Sequence, residues 1–207
     1  MPEGGPQGSA LSSCWSTEMR QELRALDHAV FDAIADTSTP QLDRWVVAVS
    51  ESANYSRLWF VIAAGLATSH GRRGRRAALQ GILAVGMASA VTNLAIKPAV
   101  NRRRPVPSQG TDVPASRSVR RPVSTSFPSG HTASAFAFAG AAGRLVPSAA
   151  LPLHATATLV GYSRVHTGMH YPSDVAVGAL VGALCGWTVH RLAGGSRTGL
   201  GAEGRAR

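Results

Sequence analysis

The chain has 207 residues, enough for one domain or one and a half, and carries 21 Lys and Arg against 11 Asp and Glu, a net charge of +10. Only 15% of the residues are charged while 44% are hydrophobic, which excludes disorder throughout the chain. Two cysteines, Cys14 and Cys185, exclude a disulfide framework and, alone, a tetrahedral zinc site. A nucleic-acid-binding protein or a membrane protein remains, since both attract positive charge. Every basic residue except Lys97 is an arginine.

The two ends of the chain differ in composition from residues 18–56. Residues 1–17 and 193–207 are rich in Gly, Ser, Pro and Arg and are predicted to be disordered tails, a polar one and a basic one. No cleavable signal is expected, because the start has no apolar core region. Residues 18–56 are predicted to form amphipathic helices on the membrane surface or capping a bundle, since apolar residues recur at helical spacing and Pro40 separates a second short helix.

Two long apolar runs predict membrane-spanning helices. Residues 77–96 carry no formal charge and would extend roughly 30 Å, the thickness of the hydrocarbon core. Residues 175–189 are also uncharged, and Gly178, Gly182 and Gly186 recur there every four residues, a spacing that allows close helix packing. Together with shorter apolar stretches, these runs predict an all-α fold. Residues 57–192 are expected to form a polytopic transmembrane helical bundle of about five spans, with six as the alternative.

The arginine-rich segments suggest how this bundle is oriented. GRRGRR at 71–76 lies between the first two candidate spans and favours the cytoplasmic side. The long loop 98–128 would then lie outside, although it is also rich in arginine. We therefore expect a multi-pass protein of the cell membrane whose active site faces the extracytoplasmic side, at the helix ends.

The first of three short motifs follows the first long apolar run. Lys97 ends that run, and Arg104 and Pro105 come seven and eight residues later. A lysine at this place is often an anchor whose amino group reaches the headgroups. Lysine as a point charge and arginine as a bidentate fork also suit a phosphate group.

The second motif is Pro128-Ser129-Gly130-His131, at the start of another apolar run. Free backbone N–H groups at a helix start form an anion site, and glycine lets the backbone approach closely. The alternative is an ordinary capped helix that carries a surface histidine.

The third motif runs from Ser163-Arg164 to His170 and Asp174, just before the second long run. A carboxylate at Asp174 can hold the Nδ1–H of His170 and leave Nε2 free and nucleophilic. The alternative is that Asp174 only interacts favourably with the dipole of the following helix.

In this order the motifs resemble those of the type 2 phosphatidic acid phosphatase superfamily: Lys, six residues, Arg-Pro; Pro-Ser-Gly-His; and Ser-Arg, five residues, His, three residues, Asp. The resemblance covers residues 77–190. It implies that His170 is the nucleophile and forms a phosphohistidine, that Asp174 orients it, and that His131 protonates the leaving group and then activates water. It also implies a phosphate-binding set, which consists of Lys97, Arg104, Ser129, Gly130 and Arg164. No metal and no other cofactor are expected.

The resemblance implies an integral-membrane lipid phosphatase whose partners are its lipid phosphate substrate and the bilayer, with no nucleic acid. A polyprenyl phosphate or diphosphate carrier is favoured as substrate, such as undecaprenyl diphosphate or a decaprenyl-linked sugar phosphate. Phosphatidate or phosphatidylglycerophosphate is the alternative lipid. Two other classes stay open: a vanadate-dependent haloperoxidase, against which the apolar runs argue, and a non-enzymatic basic membrane protein.

Overall fold

The computed structural model describes residues 7–106, 113–117, 119 and 124–195. Within these ranges every regular element is a helix, which confirms the predicted all-α class. The α-helices are α1 (Gln7–Asp36), α2 (Pro40–Ser52), α3 (Arg57–Ser69), α4 (Gly71–Ala90), α5 (Lys97–Val100), α6 (Gly130–Leu145), α7 (Pro147–His166) and α8 (Pro172–Gly195). Short 3₁₀ turns lie at Asn54–Ser56 and Ala115–Arg117, and a π-helical turn lies at Val91–Ile96.

The N-terminal helix begins earlier than the sequence analysis placed it. α1 starts at Gln7, inside the segment 1–17 that was expected to be a disordered tail, because the apolar residues before position 18 continue the helical spacing of the residues after it. Residues 1–6 lie outside the described part of the chain. At the other end α8 continues to Gly195, and the rest of the expected basic tail is likewise outside the description.

Two helices are long and apolar enough to cross a membrane. The first runs through Gly71–Val100, 30 residues with a mean hydropathy of 1.6, and the second through Pro172–Gly194, 23 residues with 1.4. They contain both apolar runs identified in the sequence. The first is not regular throughout, since α4 passes into a π-helical turn at Val91–Ile96 before α5 begins at Lys97.

Helix α6 is the centre of the bundle and packs against α4, α7 and α8. It is apolar on nearly every face, as a fully enclosed helix must be. Its side chains are mostly small, which lets three neighbours approach closely. The residues of α6 with no measurable exposure are Thr132, Ala133, Ala135, Ala137, Phe138, Ala139, Ala141 and Ala142.

The glycine stripe of α8 lies directly against the backbone of α6. A Cβ atom added at Gly178, Gly182 or Gly186 would lie 2.6, 2.2 or 2.6 Å from a backbone carbonyl oxygen of α6. This confirms the close approach that the spacing predicted. Since both helices advance in the same direction along the contact, they are parallel and their N-termini meet. There the amide of Ser129 donates a hydrogen bond to the carbonyl of Asp174 over 2.9 Å.

A buried arginine anchors the long loop 98–128 to the N-terminal helices. Arg117 has no exposed surface; its Nε donates to Asp43 Oδ1 of α2 over 2.8 Å and its Nη1 to the Ile34 carbonyl of α1 over 2.8 Å. His166 Nε2 lies 2.9 Å from the same carboxylate oxygen. Burial raises the pKa of Asp43, but hydrogen bonds from Ser116, Thr39, His166 and Arg117 outweigh it and lower the pKa to about 2. The loop is therefore fixed at this point by a charged pair that stays ionised.

Candidate active site

Four helix ends converge at one end of the bundle. They are the C-terminal ends of the α4–α5 helix and of α7 and the N-terminal ends of α6 and α8. The structure brings the predicted catalytic and cationic residues together there. His131 interacts electrostatically with four others, which are Arg164, His170, Lys97 and Arg104.

The histidine and carboxylate of the third motif face each other across the turn between α7 and α8. His170 Nδ1 lies 3.7 Å from Asp174 Oδ2, which is too far for a hydrogen bond. Within the described part of the chain, this buried nitrogen has no hydrogen-bond partner. On the other side of the ring, Nε2 lies 3.5 Å from Arg104 Nη1. A movement of less than about 1 Å would bring the Nδ1–H into hydrogen-bonding distance of the carboxylate.

The surroundings of His170 keep its imidazole neutral. Burial is the largest cause and lowers its pKa; the interaction with Asp174 raises it, but burial together with the charges of Arg104 and Arg164 outweighs that effect, so that the pKa falls to about 4. A neutral ring with Nδ1–H directed toward the carboxylate leaves the lone pair on Nε2, beside Arg104. This is the protonation state that a nucleophilic histidine needs.

We expect the ring to stay neutral far below the pH at which an ordinary histidine titrates. A depressed pKa means that the proton binds only at lower pH, so His170 should remain the Nδ1–H tautomer down to about pH 5. ¹⁵N-histidine NMR of the detergent-solubilised protein tests this, with the His170 signal identified by its absence in His170→Gln. A His170 signal that titrates near pH 6.5 would contradict the expectation.

Two arginines bring donor groups to the site from different elements. Arg104 lies in the loop after α5, and its Nη1 donates to the Met169 carbonyl over 2.8 Å. Arg164, in the last turn of α7, is only 2% exposed, and its Nη1 donates to Ser50 Oγ over 2.6 Å. Its buried Nε has no hydrogen-bond partner among the described residues. A buried, unsatisfied charged donor is costly, and an anion oxygen would satisfy it.

Lys97 and His131 line a cavity of about 160 Å³. Lys97 Nζ donates to Asn93 Oδ1 over 2.9 Å, and a Cβ atom placed on Gly130 would lie 3.8 Å from that nitrogen. The imidazole of His131 is held through Nε2, which lies 3.0 Å from Asn54 Oδ1. The lysine and the start of α6 are thus brought into contact with the same open space.

Ser129 has a structural task in this arrangement. It is the N-cap of α6, and its Oγ accepts hydrogen bonds from the Thr132 amide at 3.4 Å and the Thr132 hydroxyl at 2.9 Å. Ser129 is fully buried. Its place in a phosphate site therefore stays a prediction, while its capping of α6, which fixes the position of His131 two residues later, is observed.

Four residues that none of the motifs specifies contribute to the site. Ser50 and Asn54, from α2 and the turn after it, hold Arg164 and His131. Arg102 donates to Asp174 Oδ1 over 2.8 Å and to Asp27 Oδ2 of α1 over 2.7 Å. Nothing in the sequence indicated Ser50, Asn54 or Asp27, and Arg102 was noticeable only as an arginine at an unspecified position inside the first motif.

Comparison with known proteins identifies the family. The sequence model of the PAP2 superfamily matches residues 77–197, which is more than half of the chain. The decaprenylphosphoryl-5-phosphoribose phosphatase of Mycobacterium tuberculosis is 38% identical over 139 residues, which cover 66% of this chain and 72% of that protein. The lipid A 1-phosphatase of Rhizobium johnstonii is 45% identical over 58 residues, 28% of this chain and 24% of that protein.

Two solved structures have the same fold. A transmembrane PAP2-type phosphatidylglycerolphosphate phosphatase from Bacillus subtilis superposes with a TM-score of 0.62 at 23% identity, covering 90% of each chain. LpxE of Aquifex aeolicus gives a TM-score of 0.59 at 25% identity, covering 79% of this chain and 93% of that one. The chain therefore belongs to the PAP2 superfamily and is a membrane-associated lipid phosphatase.

Proposed function

We propose that the protein cleaves the phosphate group of a lipid phosphate through a phosphohistidine on His170. The observation that carries this proposal is a buried neutral histidine whose Nε2 lies beside Arg104, with Arg164 close by. Charge on a transferring phosphoryl group is best met by positioned cations and N–H donors. The unsatisfied Nε of Arg164 supplies one such donor.

In the first step, Nε2 of His170 attacks phosphorus. The N–P bond forms, the bond from phosphorus to the leaving oxygen breaks, and His131 gives that oxygen a proton. Asp174 stabilises the positive charge that the ring acquires. Lys97, Arg104, Arg164 and the start of α6 bind the phosphoryl oxygens throughout.

In the second step, water replaces the histidine at phosphorus. His131, now deprotonated, accepts a proton from the attacking water. The N–P bond breaks, inorganic phosphate leaves, and the neutral form of His170 is restored. Asn54, which contacts His131 Nε2, keeps the ring in one orientation for both steps.

A polyprenyl phosphate or diphosphate carrier is the proposed substrate class. The mycobacterial relative, which acts on a decaprenyl-linked sugar phosphate by its name, aligns over two thirds of this chain at 38% identity. The Bacillus neighbour, at 23% identity, supports only the fold. Phosphatidate and phosphatidylglycerophosphate are therefore the second candidates. The apolar helices continue to argue against a soluble haloperoxidase.

A bundle of five spans, formed by α3, the α4–α5 helix, α6, α7 and α8, is the proposed arrangement in the membrane. Large apolar side chains on the outer surfaces of these helices fit contact with lipid tails. Those at least half exposed are Phe60, Val61, Leu79, Leu83, Leu94, Leu151, Leu180, Leu184 and Leu192. The arginines of 71–76 begin the α4–α5 helix and the site lies at its other end. Under the positive-inside rule these arginines favour an extracytoplasmic site.

Phosphate release from a panel of lipid phosphates tests the substrate class. Protein in detergent is given a decaprenyl-linked sugar phosphate, undecaprenyl diphosphate, phosphatidate and phosphatidylglycerophosphate. We expect the largest kcat/KM for a polyprenyl substrate and inhibition by vanadate, which resembles the pentacoordinate transition state. A larger kcat/KM for phosphatidate than for the polyprenyl substrates would contradict the proposed substrate class. No release of phosphate from any lipid would contradict the proposed function.

The same assay in oriented membrane vesicles tests the proposed side. Right-side-out vesicles should release phosphate from a water-soluble short-chain substrate without permeabilisation. Activity found only in inverted vesicles would reverse the proposed topology.

A further inference from the structure

We propose that Arg102 is a positioning residue that holds Asp174, and through it His170, in the reactive orientation, and that Asp27 of α1 anchors Arg102 from its other side. Arg102 occupies an unspecified position of the first motif, between Lys97 and Arg104. This inference rests on the proposed role of His170 as nucleophile.

The guanidinium of Arg102 bridges three elements. Nη1 donates to Asp174 Oδ1 over 2.8 Å and to Ser173 Oγ over 2.7 Å, both on α8. Nη2 donates to Asp27 Oδ2 over 2.7 Å. The group also lies 4.3 Å from the centroid of the Tyr171 ring, a cation–π distance. The two terminal nitrogens of the planar guanidinium thus donate to two different carboxylates.

Asp27 does more than balance the charge of Arg102. Its Oδ1 accepts a hydrogen bond from the Ser173 amide over 2.9 Å, so a carboxylate of α1 satisfies a free N–H in the first turn of α8. Asp27 is only 5% exposed. The N-terminal helix is therefore joined, through buried charged contacts, to the residue immediately before Asp174.

The two oxygens of Asp174 have separate partners. Oδ1 is held by Arg102, and Oδ2 accepts from the Tyr171 amide over 2.9 Å while facing His170 Nδ1 at 3.7 Å. Together these contacts fix the plane of the carboxylate. Without Arg102, Oδ1 would be buried without a charged partner, and the carboxylate would be free to rotate away from the histidine.

Arg102 stays a cation in this position. Burial lowers its pKa, but the hydrogen bond from its guanidinium to Asp27 and the charges of Asp174 and Asp27 outweigh that effect and raise it. About a fifth of its side chain, 22%, is exposed, so a small cation can reach the same place from solvent when the side chain is removed.

The test combines Arg102→Gln, Arg102→Lys and Arg102→Ala in detergent-purified protein, assayed on the best substrate of the panel. We expect Arg102→Gln to lower kcat about 10- to 100-fold, comparable to the loss when a partner that orients a metal-binding side chain is removed, while KM changes less than about threefold. Arg102→Lys should recover part of the loss, because it restores the charge but only one of the two contacts. Added guanidinium chloride should restore part of the activity of Arg102→Ala.

The neighbouring Arg103→Gln is the matched control, since Arg103 is exposed, and it should keep the kcat and melting temperature of the unaltered protein. Asp27→Asn should lower kcat less than Arg102→Gln does. In the double variant the two losses of kcat should not add, because both residues belong to one hydrogen-bonded network. The inference is overturned if the kcat of Arg102→Gln stays within threefold of that of the unaltered protein. It is also overturned if the loss of kcat parallels a fall in melting temperature and guanidinium restores no activity in Arg102→Ala. An unaltered protein that releases no phosphate would instead contradict the proposed function itself.

Discussion

Replacing His170 with alanine is expected to lower phosphate release by at least about a thousandfold, because loss of a catalytic nucleophile removes the covalent route altogether. His170 is 2% exposed and sits in the turn between α7 and α8, so His170→Gln, which keeps more of the volume, is made alongside it. The unaltered protein, mixed briefly with ³²P-labelled substrate and quenched in base, should carry label that acid removes, as a phosphohistidine does. Neither variant should carry it.

His154→Ala is the matched control for this experiment. His154 is an exposed histidine of α7 whose Nδ1 lies 2.8 Å from the Ala150 carbonyl, and it belongs to none of the three motifs. It should keep the turnover of the unaltered protein. If His170→Ala keeps even a tenth of that turnover, His170 is not the nucleophile, and the label would have to be sought on another residue.

The second large effect concerns stability. Gly182→Ala should destabilise the fold by about 3 kcal/mol, the upper part of the range for overpacking a core. The added Cβ would lie 2.2 Å from the backbone carbonyl of Ala133, and a backbone atom cannot move aside as a flexible side chain can. For a chain of this size, this corresponds to a fall of about 6 to 12 °C in melting temperature.

Gly140→Ala provides the comparison, because none of the described residues has an atom within 4 Å of a Cβ added at Gly140 of the neighbouring helix α6. Alanine is favoured over glycine inside a helix, so this variant should melt at the same temperature or slightly higher. Monodispersity in detergent as a function of temperature measures both variants. Equal melting of Gly182→Ala and the unaltered protein would mean that α6 and α8 do not contact each other through this stripe.

The features that depend on local sequence could be predicted. The apolar runs predicted the two long helices, and the spacing of three glycines predicted the face on which α8 approaches α6. Fixed spacings between charged and polar residues identified the family. Each of these features lies within a few turns of one helix or within one short motif, where distance along the chain and distance in space are related.

The supporting contacts could not be predicted, because they join distant parts of the chain. Asp27 meets Arg102 across 75 positions and Asn54 meets His131 across 77. Nothing in the amphipathic pattern of α1 or α2 distinguishes the polar residues that turn inward from those that face solvent. The predicted start of α1 is too late for a different reason, since the Gly, Ser and Pro residues of 1–17 indicated a tail although the apolar residues among them continue the helical spacing.

The π-helical turn at Val91–Ile96 makes the site depend on the number of residues in a helix as well as on their identity. A π-helix bonds residue i to i+5, so each residue advances around the axis by a smaller angle than in an α-helix. Over six residues the difference amounts to roughly one residue position, which decides the direction of the Lys97 side chain. If the same six residues formed a regular α-helix, all three motifs and a helix long enough to span the bilayer would remain, but the Lys97 side chain would be turned by about 100°. The lysine would then point away from the start of α6, so motif matching alone would count as intact a phosphate site that had lost one of its cations. A chain with one residue fewer in this turn would instead need a regular α-helix to keep the same direction.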